Sequence, residues 1–236
     1  MKFTCKQQTL SKALGTVSKA VSTRTTLPVL KGILIEADTD GTITLSASDL
    51  DISIRRKIEA DVEEPGSAVV ASKLFGDIVR KLPNEMILIE AGDENSVLIK
   101  TSSSEFNVIG LSVEDFPQIK DNKEIINRLT FSCETFKDMV RKTAFAASVE
   151  EAKGILTGIL TEITPGNVRM VALDGFRLAL SNEPVEIGTE ESFIITARIM
   201  NEISKIISDD NDAEDMEILL SDKKAVFNIG NTEVSL

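Results

Sequence analysis

Asp49 and Asp51 stand two residues apart, and Asp174 opens an Asp-Gly pair flanked by apolar residues. Alternation along a strand would point Asp49 and Asp51 to one face. Paired carboxylates of this kind can hold the metals of phosphodiester hydrolysis, so a metal nuclease using Asp49, Asp51 or Asp174 is one reading of the chain. The run Asp209-Asp210-Asn211-Asp212-Ala213-Glu214-Asp215 has the composition of a calcium loop. It lacks the glycine and spacing of an EF-hand and reads as a solvated turn. Neither metal nor cofactor is expected. There is no histidine, tryptophan or tyrosine. Without histidine there is no Ser-His-Asp or Cys-His nucleophile and no imidazole base. No Walker-type loop is present to bind ATP.

Recognition is the better use of these residues. Met170-Val171-Ala172-Leu173-Asp174-Gly175-Phe176-Arg177-Leu178-Ala179-Leu180 reads as strand, tight turn, strand. An ordinary hairpin accounts for Asp174-Gly175. Arg177, between Phe176 and Leu178, sets a guanidinium at the rim of an apolar patch, which suits capture of a short peptide.

The net charge is −12, which by itself argues against nucleic acid. Its distribution argues the other way. Four predicted helices carry ten basic residues: Lys12, Lys19, Lys73, Arg80, Lys81, Lys137, Arg141, Lys142, Arg198 and Lys205. Four acids accompany them: Asp77, Glu134, Asp138 and Glu202. A one-signed patch steers a partner more than net charge does, and a positive face can follow a phosphate backbone without reading bases.

The elements that carry these residues occur twice. Phe3-Thr4-Cys5 matches Phe131-Ser132-Cys133, Gly32-Ile33-Leu34 matches Gly158-Ile159-Leu160, and Asp49 matches Asp174. Val69-Val70-Ala71-Ser72-Lys73-Leu74 matches Ile194-Ile195-Thr196-Ala197-Arg198-Ile199. A repeat this long is a domain duplication. Helices are predicted at the run from Leu10 to Val21, at 72–82, at 134–147 and near 197–208, among strands near 2–6, 29–37, 42–48, 51–59, 67–71, 86–91, 95–101 and 104–110 and their counterparts. That order gives an α+β fold of largely antiparallel sheets. Residues 111–128, with Phe116-Pro117, read as a linker. The expected domains are 1–120 and 121–236, the second stopping inside its last strand. Cys5 and Cys133, at equivalent places, read as buried thiols rather than a disulfide. No apolar run is long enough to span a membrane and the start is not a signal peptide, so the cytoplasm is expected.

Taken together, Met1-Lys2-Phe3-Thr4, Thr26-Leu27-Pro28-Val29-Leu30, Asp115-Phe116-Pro117 and Ala172-Leu173-Asp174-Gly175-Phe176-Arg177-Leu178-Ala179 resemble the bacterial DNA polymerase III β subunit, the sliding clamp, over the whole chain. The resemblance implies duplicated clamp domains with sheets outside and helices on the inner face. Family members have three domains, and two chains join head to tail around duplex DNA. DNA polymerase III and the clamp loader dock by short linear motifs, and the clamp is a processivity factor without catalytic activity. It implies DNA contact by Arg24, added to the helical Lys12, Lys19, Lys73, Arg80, Lys137, Arg141, Arg198 and Lys205. It implies a peptide pocket of Leu156, Leu173, Gly175, Phe176, Arg177 and Leu178, with Phe176 where many relatives have histidine. Lys73, Phe106 and Val108 match one side of the dimer interface. The third domain is absent, so the chain is expected to be a piece of a longer protein and mainly monomeric. A two-domain clamp closing as a trimer is the alternative.

Overall fold

A computed structural model describes residues 1–22, 25–119, 127–209, 213–221 and 224–236. Its elements are, in order, β1 (Lys2–Lys6), α1 (Gln7–Val17), β2 (Gly32–Ala37), β3 (Thr42–Ser48), β4 (Ser53–Glu59), β5 (Asp61–Glu64), β6 (Gly66–Ala71), α2 (Ser72–Lys81), β7 (Met86–Ala91), β8 (Ser96–Lys100) and β9 (Glu105–Ile109). The order repeats with β10 (Asn127–Ser132), α3 (Cys133–Thr143), β11 (Gly158–Thr164), β12 (Asn167–Leu173), β13 (Leu178–Pro184), β14 (Glu191–Thr196), α4 (Ala197–Asp209), β15 (Asp215–Leu220), β16 (Ala225–Ile229) and β17 (Thr232–Ser235). Contacts divide the chain into unit 1, Met1–Lys123 with Asn231–Leu236, and unit 2, Glu124–Gly230. The C-terminal segment belongs to unit 1 because β17 pairs with β4, Val234 opposite Ile54.

Unit 1 holds the antiparallel sheets β5-β1-β7-β8-β9 and β17-β4-β3-β2-β6. Unit 2 holds β13-β12-β11-β14 and β10-β15-β16. Period-two burial drives the strands: Ile33, Ile35 and Ala37 of β2 and Ile43, Leu45 and Ala47 of β3 all face the core. The helices bury one stripe each. Leu10, Ala13, Leu14 and Val17 do so in α1, and Ile199, Met200, Ile203, Ile206 and Ile207 in α4. Gln7 Nε2 donates to the Val79 carbonyl at 2.7 Å, tying α1 to α2 beneath the surface. In unit 2, Phe136 stands edge-on to Phe131 with centroids 6.1 Å apart, and Phe227 closes the cluster. Cys5 and Cys133 are buried and form no disulfide. Burial pushes the Cys5 thiol up to about 12, so it is inert at neutral pH.

The structure departs from the sequence reading in three places. β5, which pairs with β1, was not expected: Asp61-Val62-Glu63-Glu64 is an acidic edge strand with no apolar stripe. The first and third helices end at Val17 and Thr143, each continued by a short 3-10 turn. Lys19 therefore leaves α1, and Asp209 joins α4. Lastly, Asp49 and Asp51 lie in the loop before β4 and not along a strand.

That loop has a counterpart in unit 2. Asp49 Oδ1 accepts from the Asp51 and Ile52 amides at 3.0 and 2.9 Å. Asp174 Oδ1 accepts from the Phe176 and Arg177 amides at 2.9 and 3.0 Å. Both carboxylates shape turns. The following residue is left-handed in each: Gly175 at φ 96° and Leu50 at φ 80°. Glycine adopts that conformation freely, whereas leucine pays a steric penalty. Leu50 is exposed, so Leu50→Gly forfeits little packing. It should stabilise unit 1 by about 0.5–1 kcal/mol in urea unfolding, and Gly175→Leu should cost unit 2 about 1 kcal/mol. Equal stability of wild type and Leu50→Gly would refute the account.

Candidate functional site

Within unit 1, α1 packs against α2, and within unit 2, α3 packs against α4. The four helices carry nine basic and five acidic side chains, so their positive surplus is four rather than the six expected from sequence. Ion pairs reduce it further. Arg80 pairs with Asp77, Arg141 and Lys142 with Asp138, and Lys205 with Glu202. Lys142 also reaches Glu183 at 3.1 Å. The Lys142 ammonium and then the Arg141 guanidinium, by hydrogen bonding, hold the Asp138 carboxyl below its ordinary range. Among the described residues, Lys12, Lys73 and Lys137 have no ion pair and keep their full charge for a partner. Arg24 lies outside the described residues.

Lys73 and Arg80 border a groove of about 400 Å³ between α1 and α2. Gly15 and Gly76 line it, and an added Cβ at either would meet nothing within 4 Å. Lys12 lies apart from these two, on a wider cavity shared with Lys6, Lys57, Asp40, Glu59 and Asp61, where the signs are mixed.

The second cluster is in unit 2, at the tip of the β12–β13 hairpin. Leu173 pairs with Leu178 and Val171 with Leu180 across the hairpin, with their side chains away from the buried Ala172 and Ala179. Leu160 pairs with both Val171 and Ile194, so an apolar row, Leu180–Val171–Leu160–Ile194, crosses all four strands. Leu178 is 63% and Phe176 93% exposed. Asp174 fixes the tip, taking Arg177 Nε at 3.0 Å, while the Lys153 ammonium donates to the Asp174 carbonyl at 3.3 Å. Lys153 lies 5.5 Å from the Phe176 ring centre, and the Arg177 guanidinium 5.9 Å from that of Phe145. Leu156, in the adjoining 3-10 turn, accepts from the Ser148 amide at 2.8 Å. Phe145 and Ile155, 60% and 68% exposed, were missed from sequence. Phe145 had been absorbed into a helix that in fact stops at Thr143.

The corresponding face in unit 1 is covered. Val69 and Leu34 take the places of Ile194 and Leu160, and Val29, Leu30, Val69 and Phe116 form one buried cluster. Leu111, Val113 and Ile119 pack onto it, so the segment after β9 seals that sheet.

A duplicated α+β unit of two antiparallel sheets with two helices, presenting basic helices and an open apolar hairpin, defines the DNA clamp class. The chain belongs to the DNA polymerase III beta subunit family: the model of its N-terminal domain matches residues 1–120 and that of its central domain residues 130–235. The beta sliding clamp of Halalkalibacterium halodurans is 35% identical over 98% of this chain and 63% of its own length. That of Synechocystis is 31% identical over 100% of this chain and 65% of its own. The crystal structure of the Bacillus subtilis sliding clamp is 31% identical, with a TM-score of 0.93 over 100% of this chain and 63% of that one. The Pseudomonas aeruginosa DnaN sliding clamp bound to griselimycin is 26% identical, with a TM-score of 0.92 over 100% and 63%. This chain thus spans less than two thirds of the length of these relatives. No described helix is long and apolar enough to cross a membrane.

Proposed function

We propose that the chain serves in a DNA sliding clamp, a non-catalytic ring that encircles duplex DNA and tethers the replicative polymerase in the cytoplasm. The observation that carries this reading is the positive surplus on the helices of both units in a chain of net charge −12. Such a surface binds phosphates without selecting bases and lets a protein slide. Lys12, Lys19, Lys73, Arg80, Lys137, Arg141, Arg198 and Lys205, with Arg24, are the proposed DNA contacts. Leu156, Leu173, Gly175, Phe176, Arg177 and Leu178 are proposed to hold linear motifs of DNA polymerase III and the clamp loader. The relative bound to griselimycin supports a ligand site in the family. Lys73, Phe106 and Val108 are proposed to meet another chain in a head-to-tail ring.

A topological test separates encirclement from ordinary affinity. Protein loaded on nicked circular duplex should stay through a high-salt wash and leave when the circle is cut. Equal retention on circles and linear DNA would refute encirclement. Magnesium-dependent cleavage of the DNA, abolished in Asp49→Asn, would instead support the nuclease reading.

A further inference from the structure

Among the described residues, three that are not glycine adopt positive φ: Leu50 at 80°, Glu94 at 55° and Asn95 at 58°. Leu50 is the apolar one. Its loop is built like its counterpart in unit 2, the Asp49 carboxylate gathering amides as Asp174 does, but there glycine fills the left-handed place. Two observations coincide at Leu50. Its backbone conformation favours glycine. Its side chain is 64% exposed, so burial offsets little of the steric penalty. An exposed leucine alone needs no explanation. One held against its backbone preference, with no packing gained inside the fold, marks a side chain kept for a contact outside the chain.

The surroundings define the chemistry of that contact. Leu34 pairs with Ser46, so the start of β2 and the end of β3 lie at one end of their hairpin. The loop 49–52 leaves from that end, and the turn Pro28–Lys31 arrives there. Leu27, whose carbonyl accepts from the Leu30 amide at 3.1 Å to close that turn, is 50% exposed. This end of the sheet thus presents two open leucines. Both charges of the Leu50 loop, Asp49 and Asp51, are negative, and Asp51 is exposed. An exposed leucine between carboxylates complements an apolar hollow with a cationic rim on a folded protein, and it repels a nucleic acid backbone. Two leucines cover far less than the roughly 1,200 Å² of a stable interface, so the contact acts only on a partner already tethered. We propose that Leu50, with Leu27 and Asp51, is a second foothold for the protein whose linear motif sits on the β12–β13 tip. The folded body of that partner closes an apolar, basic-rimmed hollow over Leu50. The partner is the polymerase, because a flexible motif tethers without orienting, and a polymerase must hold one orientation on the duplex it copies. This rests on the motif-docking reading above and adds a contact in unit 1.

Surface plasmon resonance of the assembled ring against two probes, DNA polymerase III and its isolated motif peptide, tests this. Leu50→Gly removes the side chain and relieves the backbone, so lost binding cannot come from a weakened fold. Urea unfolding checks that the variant is at least as stable as wild type. Leu50→Gly should weaken the polymerase about tenfold and leave the peptide unchanged. Asp51→Lys should weaken the polymerase as well, and more so at low salt. Leu178→Asp should weaken both probes. Polymerase affinity that falls with Leu178→Asp but not with Leu50→Gly overturns the second foothold and leaves the motif reading intact. A fall of both probes in Leu50→Gly also overturns it, since Leu50 would then act through the tip. Unchanged or tighter polymerase binding in Asp51→Lys overturns the basic rim. A polymerase indifferent to Leu178→Asp and Leu50→Gly alike removes the motif reading and this proposal with it. A loss in Leu50→Gly seen with the clamp loader and not with the polymerase overturns the choice of partner.

Discussion

Replacing Arg24, Lys12, Lys73 and Lys137 together by alanine should weaken duplex binding alike on all sequences and flatten its salt dependence. Each phosphate contact contributes about 0.9 to the slope of log affinity against log salt, so four contacts remove about 3.6. The matched set Arg80, Arg141, Lys142 and Lys205 should flatten it much less. Each of those cations already has an acidic partner on its own unit. Fluorescence anisotropy across a salt series, on the assembled ring, measures both slopes. Equal changes for the two sets would mean that ion pairing on the helices does not decide which cations meet DNA. A variant set that altered affinity for one sequence and spared another would point to base contacts instead.

The second large effect concerns the β12–β13 tip. A motif peptide seated on Leu173, Leu178 and Phe176 would cover about 100 Å² at Leu178, worth about 2.5 kcal/mol at roughly 25 cal/mol per Å². Leu178→Asp should therefore cost about fifty- to hundredfold in peptide affinity by calorimetry. Loss of less than about threefold would place the peptide elsewhere. The same loop carries a pH signature. The Phe176 amide, then the Arg177 amide, hold the Asp174 carboxyl below its ordinary range, and the Arg177 side chain adds to this. A depressed folded value stabilises the loop at every pH above the ordinary carboxylate range, and the benefit is lost as pH falls through the depressed value. Peptide affinity should thus be level from neutral pH through the ordinary carboxylate range and decline only in stronger acid. In Asp174→Asn that acid decline should be absent.

Much of this architecture was legible in the residues. The paired Phe-Thr-Cys and Phe-Ser-Cys openings, the Asp174-Gly175 hairpin and the 3.6-residue stripe of Leu10 to Val17 mark the duplication and most elements. What escaped depends on contacts distant in sequence. β5 is defined by its pairing with Phe3 and Thr4, not by any pattern of its own. Phe145 looks like one more turn of helix until Thr143, whose hydroxyl donates to the Met139 carbonyl, ends it. The charge of the helices was readable, but its neutralisation was not. Whether Arg141 is available depends on Asp138 three residues away, and that spacing was visible without its geometry. The bare face in unit 2 became recognisable only beside its counterpart, where Phe116 and Leu111 cover the same strands.

The assignment of β17 to unit 1 bears on how the chain is made. Arg56 is buried, and its guanidinium donates to Thr16 of α1 and to Thr232, 176 residues further on, each at 3.2 Å. A ribosome therefore releases β4 long before its edge partner exists. Until synthesis reaches Thr232, that hydroxyl is missing beside Arg56 and Ile54 lacks the cover of Val234. Unit 2, by contrast, is contiguous in sequence from Glu124 to Gly230. Closing so long a loop slows the step, and an unfinished strand edge in the interval is open to other chains. In the growing polypeptide, the unit that begins first is the one completed last.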